Sequence, residues 1–421
     1  MLAQLAWKNI WRNKKRSLVI ITAIALGLSG GLFSGALMMG MGESMVNSAI
    51  DRHIGHIQIH TKQFSNDPHI SFYIRGIDNI RNTINSQDSI TAFSERTIID
   101  GMAQSAASSF GVKIIGVNPA DEIRVTKLSD NIIDGTFLES TSKNQIAIGQ
   151  KLADRLNLGM RKKVILTYQN TKGDIVYLAC RIRGIFKTES SFFDETTVFL
   201  KQEDLTRSLN QSQIIMNESV NTSEEKQNDV LIHEIAFRVA SSKDVDTVKK
   251  NLAQLFPQLD VQSWEELAPE LAYISSSMIL FTYLFVGIIL FALLFGITNN
   301  MLMSVMERIR ELGILTAVGM KKLRIFIMIL LETILLSLTG GFAGMLLGAF
   351  FIEFYNKKGI DLSAFASSLE AFGSGTMLYP FLPLSMYLVL TAMIILAANI
   401  ASLFPAWKAT HLLPAEAIRT Y

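Results

Sequence analysis

Cysteine is nearly missing from this chain. Among 421 residues there is one, Cys180, which excludes an internal disulfide and a cysteine-built metal cluster. Charge is sparse too. Asp, Glu, Lys and Arg make up 18% of the residues against 49% hydrophobic, and the mean hydropathy is +0.30. That balance is too apolar for an ordinary soluble protein and suits a chain that is part membrane, part soluble domain. The net charge of +2 excludes bulk attraction to nucleic acid. Catalytic signatures are absent as well. There is no GxxxxGK[ST] loop to cradle nucleotide phosphates, no HExxH zinc pair and no GxSxG nucleophile turn. Any energy drawn from ATP must therefore come through a partner.

What is present is a set of long apolar runs. Residues 17–41 carry no charge and as a helix would extend about 37 Å, enough to cross a bilayer with tilt. The run exceeds the core of a cleaved signal peptide, so it reads as a retained first span. Further spans are expected over 274–303, 323–353 and 380–404. Gly27, Gly31 and Gly35, and again Gly340, Gly344 and Gly348, repeat every fourth residue, opening one helix face for close packing. Residues 1–16 hold Trp7, Trp11 and five basic side chains, a mixture that favours an interfacial helix at the membrane surface.

Residues 42–271 have no spanning run and read as an α+β domain inserted between the first two spans. GHIQIHT and FRVA predict strands and KDVDTVKKNLAQLF a helix. A β-rich insert is expected over about 111–208, with Asn170–Asp174 at a hairpin turn and a helix in AIGQKLADRLNLG. Asn118–Pro119 and Asp134–Gly135 are turn residues by type. Residues 209–230 are polar and predict a flexible connector. Residues 354–379 form an outer loop, and 405–421 a tail in which Pro405 and Pro414 act as helix breakers. The N-terminal segment and the loop at 304–324 carry five basic residues each, whereas the outer loop carries two. Basic residues stay inside, so the consistent topology is four spans with both termini cytoplasmic and the large domain outside.

Three local features bear on function. The first is the charged stretch at 304–322 between the second and third spans. Glu307, Arg308, Arg310 and Glu311 crowd together, and Ile309, Leu312 and Leu315 recur every third residue, predicting about two turns of amphipathic helix. Gly319 suits its end. The second is His53, His56 and His60. In an alternating strand His56 and His60 would lie about 13 Å apart, too far to share an ion, so they read as surface histidines and no metal is expected. The third is Glu332, about 13 Å into the third span. It is either a polar contact near a subunit interface that sets a resting state, or a group close to the cytoplasmic surface.

The segments LAWKNIWRNKKRS, RGIFKTESSFFDETTVFL, ERIRELGILTAVGMKKLRIF and PAWKATHLLPAEAIR, together with the layout of one span, a large domain and three spans, resemble the FtsX/MacB/LolC-LolE permeases. These are the membrane subunits of mechanotransmission ABC transporters. The resemblance implies that the 304–322 loop is a coupling helix, with Glu307, Arg308, Arg310, Glu311, Leu312, Gly313, Leu315 and Gly319 engaging a cytoplasmic ATPase. It implies two ATPase copies that bind the ATP and Mg2+, a second permease, identical or homologous, and a periplasmic carrier or adaptor. It implies the bacterial inner membrane, and an outer domain with one part from 42–110 and 225–271 and another from 111–208. The layout is most similar to the lipoprotein-releasing LolC/LolE type, although the hairpin Val164–Gly184 lacks the carrier-capturing extension of LolC. Export of amphiphiles or peptides, and regulation of a cell-wall hydrolase, are the alternative roles. Met38, Met41, Ile274 and Met278 are candidates for substrate contact by position.

Overall fold

The computed structural model describes every residue except 1, 13, 86, 88, 139–142, 217–229, 372 and 411–421. It divides into two compact units. One comprises Met1–Ser44, Ile274–Leu362 and Met377–Tyr421, the other Met45–Tyr273 with Ser363–Thr376.

In the first unit, four helices are long and apolar enough to cross a membrane: Ser17–Ile54, Pro269–Glu307, Lys322–Lys358 and Leu384–Thr410. The first three overrun the apolar segments that predict them, because the helical hydrogen-bond ladder continues through flanking polar residues. The fourth starts at Leu384 rather than 380, after Pro380 and Pro383. Pro405, expected to break the chain, lies buried inside this helix. Its missing N–H would have bonded the carbonyl of Ala401. That carbonyl instead accepts from the Thr298 hydroxyl of the second long helix at 3.1 Å, so the proline leaves no orphan. Pro414 lies outside the described residues. A separate helix, Leu2–Arg12, precedes the first span with Trp7 and Trp11 exposed and in edge contact. Ile20, Ile24, Leu28 and Leu32 of the first long helix form the apolar core with Leu336, Leu390 and Ile394.

The second unit is built on ten strands among the described residues: β1 Ile57–Thr61, β2 Ile90–Gln104, β3 Ser109–Val117, β4 Ile132–Gly135, β5 Gln145–Gly149, β6 Lys163–Gln169, β7 Ile175–Phe186, β8 Thr197–Lys201, β9 Glu234–Val239 and β10 Leu259–Ser263. Their order is β10-β1-β9-β2-β3-β8-β5-β7-β4, and β6 pairs with both β7 and β2. Pairing thus closes a ring, β2-β3-β8-β5-β7-β6, which leaves those strands no free edge. Strict alternation along β6 and β7 drives it. Val164, Leu166, Tyr168, Val176, Leu178, Cys180 and Ile182 are all buried in the ring's core. Burial pushes the Cys180 thiol up to about 12, so it is chemically quiet. The hairpin turns where expected, with Asn170 Oδ1 accepting from the backbone N–H groups of Lys172 and Asp174.

The β-rich insert does not begin at 111. Its ring takes β2 as a member, and the same strand's first half pairs with β9 in the other part of the sheet. One long strand therefore serves both parts, and the core beside β9 is a separate cluster around Ile57, Ile59, Ile235 and Phe237. The predicted connector is partly helical: Gln202–Met216 forms a helix, and 217–229 lie outside the described residues. AIGQKLADRLNLG splits into the end of β5 and a helix over Gln150–Leu156, closed by Asn157 in the left-handed conformation. The outer loop is folded. Ile360–Asp361 pairs with Met377–Leu378, and Glu370 accepts from Lys187 at 3.4 Å and from the Ser191 hydroxyl at 3.5 Å.

Candidate functional site

The second long helix stops at Glu307. Arg308, with φ −103° and ψ 14°, breaks the ladder, and a short helix runs from Ile309 to Ala317. Its C-terminus closes by two bonds, Gly319 N–H to Thr316 O and Met320 N–H to Leu315 O. This double cap requires a left-handed residue, and Gly319 has φ +99°. Lys321 then leads directly into the third long helix.

Four charged side chains tie this short helix to its neighbours. Arg12 of the N-terminal helix pairs with Glu311. Glu311 also meets Arg308 at 3.4 Å, and Arg308 reaches Glu332 of the third long helix at 3.1 Å. The hydrogen bond from Arg12 is the main reason that the Glu311 carboxyl lies below the usual range. The two ends of the chain differ physically. Arg12 and Glu311 are half exposed, where such a pair contributes little. The Glu332 side chain is only 5% exposed and that of Arg308 13%, so removing either would take a close partner from a largely buried charge, which is costly. Glu332 is thus a buried partner of Arg308 within the same chain. Sequence order placed these groups 24 residues apart and gave no sign that they meet.

Exposure sorts the predicted coupling residues. Leu312 and Gly313 are buried and Leu315 is partly buried against the core. With Arg308 they hold the short helix in place, and they offer no surface to a partner. Glu307, Arg310 and Glu311 are exposed. Sequence reasoning missed Ile314 and Val318, which are 54% and 82% exposed. They follow Arg310 at intervals of four and so share its face. Ile314 falls off the three-residue spacing of the buried side, but Val318 continues it (309, 312, 315, 318), so spacing gave no signal for Val318.

The two glycine series meet different surroundings. A Cβ on Gly344 would lie 2.7 Å from the Ala25 carbonyl oxygen, and on Gly340 2.9 Å from Ile24 Cβ. The third and first long helices therefore touch backbone to backbone. Gly348 faces Leu32, Gly35 faces Thr282 and Gly27 faces Leu293, whereas Gly31 has nothing nearer than 3.8 Å. Met278 packs over Gly42, and Met38, Met41 and Ile274 are partly buried.

The histidines are not surface groups. β1 lies between β10 and β9, and His56 and His60 are 8% and 5% exposed. His60 Nε2 bonds Glu234 at 3.2 Å, the His56 ring accepts from the Val239 N–H, and the His53 ring lies tilted against Phe193. Among the described residues no three His, Cys, Asp or Glu side chains are placed to hold a metal ion.

The sequence profile of the MacB-like periplasmic core domain matches residues 17–255, more than half of the chain, and that of the FtsX-like permease C-terminal region matches 283–414. The chain belongs to the FtsX/MacB family of ABC transporter permeases. The uncharacterized ABC transporter permease YknZ of Bacillus subtilis is 23% identical over 82% of this chain and 84% of its own. The macrolide export ATP-binding/permease protein MacB of Chlorobaculum tepidum is 31% identical over 30% of this chain, only 16% of its own length. Among solved structures, the periplasmic region of MacB from Actinobacillus actinomycetemcomitans covers 55% of this permease at 12% identity and a TM-score of 0.35. The permease therefore carries a domain of the periplasmic type between the first and second of four membrane helices.

Proposed function

We propose that this permease is a mechanical transmitter. A separate cytoplasmic ATPase, which binds the ATP and Mg2+, docks on the short helix and moves the outer domain through the membrane helices. The observation that carries this reading is the charged chain Arg12–Glu311–Arg308–Glu332, which clamps the exposed Arg310–Ile314–Val318 face to the third long helix. A push on that face is delivered to a buried ion pair rather than to a slack loop. In this reading the termini are cytoplasmic, the membrane is the bacterial inner membrane, and two permeases sit over two ATPases. The second long helix supports pairing with an identical or homologous permease. Only 11% of its span is buried within the chain against 50% for the third. The client is a lipoprotein or another lipid-anchored molecule in the outer leaflet, passed towards the outer membrane or to a periplasmic carrier.

Two variants separate docking from transmission. Ile314→Glu places a charge on the exposed face, and it should cut co-purification of the ATPase at least ~10-fold, as expected for an interface anchor. Glu332→Gln should leave the ATPase bound but lower client release per ATP hydrolysed. Unchanged co-purification with Ile314→Glu would refute the docking assignment, and unchanged release with Glu332→Gln would refute the transmission path.

A further inference from the structure

A cavity of about 510 Å³ opens in the outer unit, lined by Arg52, His53, Lys113 and Asp100 with Ser190 and Phe193. One of its two cations, Arg52, is buried. Arg52 is 8% exposed, its guanidinium lies 5.4 Å over the Phe193 ring, and its Nε and Nη1 have no hydrogen-bond partner among the described residues. The Nδ1 of His53 beside it is buried and unpartnered too. Folding strips water from buried polar groups, and leaving them unmatched is costly. A protein keeps such an arrangement where a ligand completes it. Nearby charges narrow the ligand. Glu189 and Asp194 lie close enough to feel the Arg52 charge yet leave its two nitrogens unbonded. Lys113 adds a second cation on the wall and Asp100 one anion, so the lining favours a single negative charge over a dianion. The remaining wall mixes apolar Val112, Ile115 and Phe193 with the hydroxyl-bearing Thr196 and Thr197, and Phe192 stands 77% exposed on it.

We infer that this cavity binds a carboxylate carried on an apolar or aromatic body, with Arg52 gripping the carboxylate and Phe193 lying under the guanidinium. Arg is suited to this because its planar fork matches a carboxylate. The chemistry is shared by a free acyl chain and by the C-terminus of an apolar peptide, and the test separates them.

The full chain in lipid nanodiscs is titrated calorimetrically with octanoate and with N-acetyl-phenylalanine, each against its amide. At least one acid should saturate the protein while its amide does not bind. Octanoate as the better ligand would mark an acyl source, N-acetyl-phenylalanine a peptide end. Arg52→Gln should weaken binding ~10-fold or more, and Lys113→Gln a few-fold, in keeping with charge-assisted hydrogen bonds. Lys113 is exposed, so its variant folds and carries the test even if Arg52→Gln does not. Failure of both acids to bind, or equal binding of acid and amide, or wild-type affinity in Lys113→Gln would overturn the assignment. None of these outcomes bears on ATPase docking.

Discussion

Arg96 on β2 and its partner Glu122 are almost completely enclosed in the strand-built unit. Arg96 bonds Glu122 through Nη2 at 2.6 Å and Nε at 2.9 Å, and Glu234 and the His53 carbonyl through Nη1 at 2.5 Å. Burial alone would raise the Glu234 carboxyl, but Arg96 and His60 overcome it and hold the group at about 2. Asp194 shows the opposite balance. It accepts from the Thr188 N–H and hydroxyl, and those bonds and Arg52 favour its charge. Burial nevertheless dominates, and Glu189 adds to it, pushing the carboxyl up to about 7 from 3.8. The folded state thus holds a proton that the unfolded chain releases. The resulting stability is complete below pH ~4 and disappears as pH rises to ~7. Between pH 5 and 8 the wild type should lose melting temperature that Asp194→Asn, neutral throughout, retains, a differential on the order of 1–3 kcal/mol. Thermal scans of both proteins across that range check it, and parallel curves would show that Asp194 is ionised in the fold. The histidines mark the limit of reading single residues. Alternation in GHIQIHT identified a strand, but His60 and its partner Glu234 are 174 residues apart. Nothing local could show that both faces of β1 are covered.

At the scale of elements, equal glycine spacing on two helices goes with unequal closeness of approach. On the third long helix the approach is to backbone. Gly344→Ala should therefore push the first and third helices apart and cost ~1–3 kcal/mol, the usual penalty of overpacking. Gly31→Ala should be nearly silent, because its neighbours are side-chain methyl groups at 3.8 Å. Unfolding of the two variants in detergent or bicelles tests the contrast, and equal losses would refute it. The short helix divides the same way. Its length, spacing and glycine end were legible because they depend on local backbone chemistry. That Leu312 faces inward while Ile314 and Val318 face out follows from where the core lies, which the three-residue spacing hints at for Ile314 and not for Val318. Pro405 was misread because the rule that proline breaks helices assumes an unsatisfied carbonyl, and Thr298 from another helix satisfies it.

For the whole molecule, the proposed topology makes a direct prediction. Native Cys180 is 1% exposed inside the strand ring, so it gives little background to a thiol reagent. Phe192→Cys in the outer unit and Lys321→Cys after the short helix both replace exposed residues. A membrane-impermeant maleimide should label the first in intact cells and the second only after permeabilisation. The reverse pattern would invert the protein in the membrane and remove the ATPase from the side on which it must dock.

Four spans, an α+β domain between the first two and a helix in the charged loop were written in composition, run length and periodicity, because those follow from burial of apolar groups and from local backbone geometry. The tertiary structure alone decided that β2 belongs to both parts of the sheet, that Arg308 meets Glu332, and that Arg52 and His53 wall a cavity. Each depends on groups far apart in the chain being brought within a few ångströms, and the pattern of neighbours along a sequence does not encode that distance.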